Sequence, residues 1–136
     1  MRYLLSLILS LFLSFPSLVL SETVDIDDLV EREDLYYKEF TDVPFTGKVT
    51  GQKKGNVQNG KKEGEWFFFT TNGKLWEKGI YKNGVLEGEW VSYHDNGGLY
   101  KKGTYKNGEK VGEWVLYGKD GRIWMKKPYK NGELVE

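Results

Sequence analysis

An all-β fold, an antiparallel meander of repeated β-hairpins behind an N-terminal targeting segment, is what this sequence predicts. Three observations predict it. Asn-Gly pairs recur at 59-60, 83-84, 107-108 and 131-132, a constant spacing of 24 residues. Matched columns keep that register between the pairs. Composition agrees, with 15% aromatics and 17 glycines in 136 residues. Aromatics favour strands and glycines favour tight turns.

The columns are Gly64, Gly88 and Gly112, then Glu65, Glu89 and Glu113, then Trp66, Trp90 and Trp114. Phe69, Tyr93 and Tyr117 follow, then Gly73, Gly97 and Gly121, then Leu75, Leu99 and Ile123. Lys78, Lys102, Lys126 and Tyr81, Tyr105, Tyr129 close each unit. Self-similarity at a fixed period is the signature of a repeat architecture. The repeats run over about 59–82, 83–106 and 107–130, with a shortened copy at 47–58 and a truncated one at 131–136.

Within a unit, Glu89 to Tyr93 reads as a strand, Asp95-Asn96-Gly97-Gly98 as a turn and Leu99 to Lys106 as the return strand. Asn107-Gly108 opens the link to the next unit. A two-residue turn at Asn96-Gly97, with positive φ at both positions, would place Trp90 across from Gly103 and Trp66 across from Gly79. Large rings over a bare strand glycine stabilise a sheet. The same register pairs Phe69 with Trp76, Tyr93 with Tyr100 and Tyr117 with Trp124. Trp90, in the middle unit, is expected to matter more for stability than Trp114 near the end. Pro128 stands where Ile80 and Thr104 stand earlier. Proline cannot donate to a ladder, so it belongs on an edge strand and limits further pairing.

Residues 22–46 precede the repeats and are predicted to form an acidic capping hairpin from Leu29 to Lys38. A short acidic helix near Asp27 is the weaker reading. This head holds nine acids against Arg32 and Lys38, a net charge of −7, while residues 47–136 hold 17 Lys/Arg and 11 Asp/Glu, a net of +6. The near-neutral total hides an acidic head and a basic body. The head is expected to fold back so that the charges cancel; the alternative is a basic body that attracts an anionic partner.

Met1-Arg2 followed by an uncharged, apolar stretch from Tyr3 to Leu20 reads as a signal peptide, residues 1–21. Val19 and Ser21 suit a cut that makes Glu22 the mature N-terminus. An uncleaved anchor is the alternative, because the apolar run approaches spanning length. Either reading exports the body to the periplasm, the cell surface or the medium.

The repeat residues Tyr81-Lys82-Asn83-Gly84, Gly88-Glu89-Trp90, Tyr93, Asn96-Gly97 and Leu99 resemble the MORN-repeat variant family, including bacterial YwqK-type antitoxin proteins. The resemblance covers Pro44 to Glu136. Asp28 to Arg32, Tyr36-Tyr37 and Val43 to Gly47 resemble the head of exported members. Such repeats imply protein–protein contacts and sometimes contacts to membrane phospholipid. The antitoxin likeness implies a toxin-neutralising role with a protein toxin as partner.

The absence of cysteine removes disulfides, thiolate metal sites and a cysteine nucleophile. The single His94 cannot build a multi-histidine metal centre. His94 lies beside Asp95, but no serine or threonine is placed as a nucleophile, so His94 reads as a solvent residue near a turn. Acids repeated in every unit read as scaffold, since an active site needs convergent unlike groups. The glycines lack the lysine and helix of a phosphate loop, and no dense acidic loop awaits calcium. No enzyme, cofactor, metal or nucleic-acid partner is therefore expected. The candidate ligand surface is the aromatic–lysine column set Trp76, Lys78, Tyr100, Lys102, Trp124 and Lys126. Equivalent members lie two strands apart, roughly 9–10 Å. Its expected partner is an unidentified protein, with an anionic membrane surface or envelope polymer as the alternative. A packed aromatic layer with a solvated lysine rim is the structural alternative.

Overall fold

The computed structural model describes residues 21–136. The predicted signal peptide, apart from Ser21, lies outside the described residues. The head contributes β1 (Glu22–Asp25), a 3-10 turn (Ile26–Asp28), β2 (Leu29–Arg32) and β3 (Leu35–Lys38). The shortened repeat gives β4 (Gly47–Thr50) and β5 (Lys53–Gln58). The full units give β6 (Lys61–Phe69) with β7 (Leu75–Lys82), β8 (Val85–Tyr93) with β9 (Leu99–Lys106), and β10 (Glu109–Tyr117) with β11 (Ile123–Lys130). The short β12 (Glu133–Leu134) follows. One 10-stranded sheet runs β1-β4-β5-β6-β7-β8-β9-β10-β11-β12. It is antiparallel throughout except for the parallel β1–β4 pair, and β2–β3 form a separate hairpin.

Two kinds of turn alternate along the meander. At the links between units, both residues of each Asn-Gly pair have positive φ, for example Asn83 at 52° and Gly84 at 82°. This is the tight two-residue turn whose twist suits a hairpin. The turns within units are longer. In the middle one Gly97 N–H donates to the His94 carbonyl and His94 N–H to the Gly98 carbonyl, at 2.9 and 2.8 Å. Only Gly97 of Asn96-Gly97 has positive φ.

That difference corrects part of the predicted register. The backbone does pair Trp90 with Gly103 and Trp66 with Gly79. Near the turn, however, a bulge skips one residue of the return strand. Tyr93 faces Leu99, Phe69 faces Leu75 and Tyr117 faces Ile123, so the predicted pairs with Tyr100, Trp76 and Trp124 do not form. A bulge sets two residues against one and leaves the extra one unpaired.

The tryptophans also lean differently from the expectation. The Trp90 ring covers Gly79 of the preceding unit: a Cβ there would stand 2.4 Å from Trp90 Cε3. Trp66 covers Gly55 and Trp114 covers Gly103 in the same way, at 2.5 and 2.1 Å. Each indole therefore joins its hairpin to the previous one, and any side chain at the glycine would collide with a ring. Tyrosines and Phe68 fill the spaces between. Tyr36 stacks on Trp66 at 6.4 Å, Phe68 lies 6.1 Å from Trp90, and Tyr105 meets Trp90 and Trp114 edge-on at 6.1 and 5.0 Å. Edge-to-face geometry at these distances is favourable beyond simple burial. Lysines cover the rings from outside, with Lys62 Nζ 5.5 Å from Trp66 and Lys110 Nζ 4.9 Å from Trp114.

The head closes the first end of this row. Tyr36, Phe45, Val49, Val57 and Trp66 form one buried cluster, with Ile26 and Leu29 packed against it. Backbone bonds fix the head in place: Tyr36 N–H donates to the Gly60 carbonyl and Gly60 N–H to the Phe45 carbonyl, both at 2.8 Å. The head folds back onto the body as expected, and Glu31 of the head lends its charge to Lys62 of the body. The ion pairs of the head, Arg32–Asp42 and Lys38–Glu22, are internal to it. At the far end β12 pairs only with Tyr129 and Lys130, leaving β11 as the edge over most of its length. Pro128 sits there, its carbonyl accepting from Val135 N–H at 2.8 Å.

Burial reverses the expected ranking of the tryptophans. Trp66 is 0% and Trp114 1% exposed, whereas Trp90 is only half-buried. Trp66→Ala and Trp114→Ala are each expected to cost about 3–5 kcal/mol, the usual cost of emptying a buried aromatic site, and Trp90→Ala less. Urea melts of the three variants check the order. Burial also pushes the Tyr36 and Tyr81 phenols from 10.0 to about 12, with nearby Glu31 and Glu77 carboxylates adding to the rise. Their contribution to stability is thus intact below pH 10.0 and is lost as pH climbs through about 12. Lys62, held below its usual 10.5 by burial, acts in the opposite sense and only up to that pH. Thermal melts between pH 10.5 and 12.5 should show falling stability, less steeply in Tyr81→Phe.

Candidate functional site

The tryptophan ladder fills one face of the sheet, so the opposite face is where a repeated surface is free. Its central row follows from the register. Lys54 faces Phe67, which faces Lys78; Lys78 faces Val91, which faces Lys102; Lys102 faces Val115, which faces Lys126. Lysines of the return strands thus alternate with apolar residues of the outgoing strands. Val91, between Lys78 and Lys102, is 3% exposed, its cover consistent with lysine stems lying along it. Lys54 belongs to this row and was missed in the sequence, although it precedes Lys78 by the same 24 residues.

Beside the lysines runs the glutamate column. Lys102 Nζ lies 3.4 Å from Glu89 and Lys126 Nζ 3.1 Å from Glu113. These pairs stay about half exposed, so they add little stability, but they halve the free positive charge of the row. An open groove of 740 Å³ at the head end is lined by Asp25, Lys48, Thr50, Lys54, Glu65 and Phe67, among others.

The aromatic half of the candidate surface is placed differently from the expectation. Trp76, Tyr100 and Trp124 are the skipped bulge residues, so strict alternation with Lys78, Lys102 and Lys126 is broken between the two columns. They are exposed along the hairpin-tip rim, at 45%, 39% and 69%. Leu99 and Ile123 stand exposed beside them. The lysine row and this aromatic rim are therefore neighbouring bands rather than one interleaved column. The repeat glycines Gly64, Gly88 and Gly112 have positive φ, which seats the register shift of each outgoing strand against the unit before it. Asn83-Gly84 and Asn107-Gly108 hold the links. Asn83 N–H donates to Glu63 at 2.7 Å and Asn107 N–H to Glu87 at 2.5 Å.

Successive hairpin tips are tied together, and here His94 has a structural part. Its Nε2 lies 2.8 Å from the Tyr117 carbonyl of the next unit, and its ring packs 4.9 Å from Tyr100. It is half-buried rather than a solvent residue. Asp95 turns instead to Lys119 at 3.3 Å, an interaction that holds its carboxyl below the usual value. Lys74 Nζ donates to the Asp95 carbonyl and Asn96 Nδ2 to the Lys119 carbonyl, at 3.1 and 3.2 Å. His94 and Asp95 thus serve different neighbours.

Among the described residues no three His, Asp or Glu side chains gather as a metal site, and no helix is long and apolar enough to cross a membrane. The arrangement offers a flat, banded surface for non-covalent contact. No curated protein and no solved structure matches the chain. Residues 62–83 and 86–107 each match the model of the MORN repeat variant, one on β6–β7 and the other on β8–β9.

Proposed function

We propose that this protein is an exported, non-catalytic interaction module that binds a protein partner through the face opposite the tryptophan ladder. The observation that carries the reading is the rim of exposed Trp76, Leu99, Tyr100, Ile123 and Trp124 beside the lysine row. Exposed aromatics beside charged residues are the usual chemistry of protein interfaces, which are rich in Trp and Tyr. MORN repeats generally bind proteins or membranes, and two units match that family. The apolar, uncharged stretch Tyr3 to Leu20 supports export.

Lipid headgroups or an anionic envelope polymer form the second reading, favoured by the four-membered lysine row Lys54, Lys78, Lys102 and Lys126. The glutamates bound to Lys102 and Lys126 weigh against it, since much of that charge is already answered. Toxin neutralisation would be one form of the protein-binding reading.

The test is affinity capture from envelope extract with residues 22–136 as bait. Lys78→Gln, Lys102→Gln and Lys126→Gln together, and separately Trp76→Ala with Trp124→Ala, should each abolish capture of the partner. Melting should shift little, because exposed strand residues usually contribute under about 0.5 kcal/mol. A folded aromatic variant that captures the same partner as wild type contradicts the reading. Loss of binding to anionic vesicles with rising salt, without a captured protein, moves the assignment to the second reading.

A further inference from the structure

The surroundings of Trp90 depart from those of Trp66 and Trp114 at three columns, two in the middle unit and one on β7 of the unit before it, and the register brings the three departures to one spot on the tryptophan face. Lys62 and Lys110 cover the flanking tryptophans, but the residue in that column of the middle unit is Leu86. On the strand that precedes each tryptophan, the column that reads Lys53 before Trp66 and Lys101 before Trp114 reads Glu77 before Trp90. The column that reads Phe68 and Leu116 elsewhere reads Ser92 there. Glu77 lies directly opposite both Phe68 and Ser92, and Leu86 lies opposite Tyr81. Phe68 and Tyr105 each stand 6.1 Å from Trp90.

The polar groups at this spot have no close partner among the described residues. Ser92 is 4% exposed and its hydroxyl has no hydrogen-bond partner. Glu77 belongs to no ion pair among the described residues. Lys101 acts on Glu77 only from beyond ion-pair distance, its Nζ lying 6.0 Å from each of the Tyr100 and Trp114 rings. Trp90 is correspondingly less covered than Trp66 and Trp114.

The two flanking units show what such a cleft holds. Lys62 Nζ sits 5.5 Å from Trp66 and 5.1 Å from Tyr81; Lys110 Nζ sits 4.9 Å from Trp114 and 5.0 Å from Tyr129. Each tryptophan–tyrosine pair there holds an ammonium against its ring faces. Around Trp90 the rings remain, the ammonium that would cover them is replaced by Leu86, and the carboxylate of Glu77 stands on the neighbouring strand where the flanking tryptophans have a lysine.

We propose that the cleft at Trp90 receives the ammonium of a lysine side chain from a protein partner. Trp90 and Tyr105 supply the ring faces and Glu77 the opposite charge. Aromatic faces attract cations through the ring quadrupole, more strongly where water is excluded. The neutral, shorter Leu86 side chain does not supply the charge itself. This site lies on the other face from the lysine row, and its assignment does not depend on the reading given above for that row.

The probe is a capped tripeptide with a central lysine, titrated into the full mature chain and followed through the indole N–H resonances. Trp90 is expected to shift, while Trp66 and Trp114, whose clefts hold their own lysines, stay in place. The same peptide with norleucine should leave Trp90 unmoved. Glu77→Gln should weaken binding about tenfold. Leu86→Lys, which installs the residue both flanking units carry, should abolish it while the protein still folds. An unmoved Trp90, an equal response to norleucine, or undiminished binding by Glu77→Gln would overturn the proposal. A shift with tetramethylammonium but none with the lysine peptide would overturn the choice of a peptide lysine as the source.

Discussion

The contact of each indole with a glycine one strand back is the constraint on which the rest of this structure depends. A hairpin alone buries little, and a single-layer sheet has no second layer to cover its apolar residues. Here the cover comes from within the face. Trp66, Trp90 and Trp114 each lie across a strand boundary onto Gly55, Gly79 and Gly103. The glycine is required because a Cβ would enter the ring, and the tyrosines fill what the indoles leave open. Every unit is thereby fastened chiefly to its neighbours, the energetic pattern of a linear repeat array. The first indole needs a cap and receives Tyr36 from the head. At the other end the glycine column reads Lys127 and the next residue is Pro128, so β11 lacks both the glycine that would receive another indole and a donor for continuing the ladder.

Because one face does the packing, the other is released for contact. Its lysine row and aromatic rim repeat with the units, and half of its charge is held locally by glutamates. The packing face is not uniform either. Glu77, Leu86 and Ser92 alter it only around Trp90, where repetition would have placed a lysine lid. Departures from a repeat that converge in space are informative in a way that the shared residues are not, since shared residues serve the scaffold.

Much of the fold was legible in the sequence. The 24-residue columns gave the strands, the links at Asn83-Gly84 and Asn107-Gly108, and the backbone pairing of Trp90 with Gly103. The turns within units are not legible from Asn-Gly, because the same dipeptide makes a two-residue turn at the links and a longer turn at the hairpin tips. In Asp95-Asn96-Gly97 only the glycine adopts positive φ, and the bulge beyond it displaces Tyr100 from Tyr93. Side-chain lean was not legible, since the register sets Trp90 between Gly79 and Gly103 and only three-dimensional packing decides between them. The candidate lysines do fall in one row with Lys54, but their aromatic companions sit on the bulges, a displacement that period-two reasoning cannot anticipate. The tie made by His94 is not legible in the sequence, where it reads as a solvent residue, because its partner, the Tyr117 carbonyl, is backbone and carries no sequence signal.

The direction in which Trp90 leans tests the account most directly. An indole shifts the resonances of protons held against its face, so the α-protons of Gly79 and Gly103 report which ring covers each. In Trp90→Leu the Gly79 α-protons should move back towards ordinary values while those of Gly103 stay displaced, and Trp114→Leu should release Gly103. Release of Gly103 by Trp90→Leu, with Gly79 unchanged, would mean that each indole covers its own hairpin and that the units are not joined in this way.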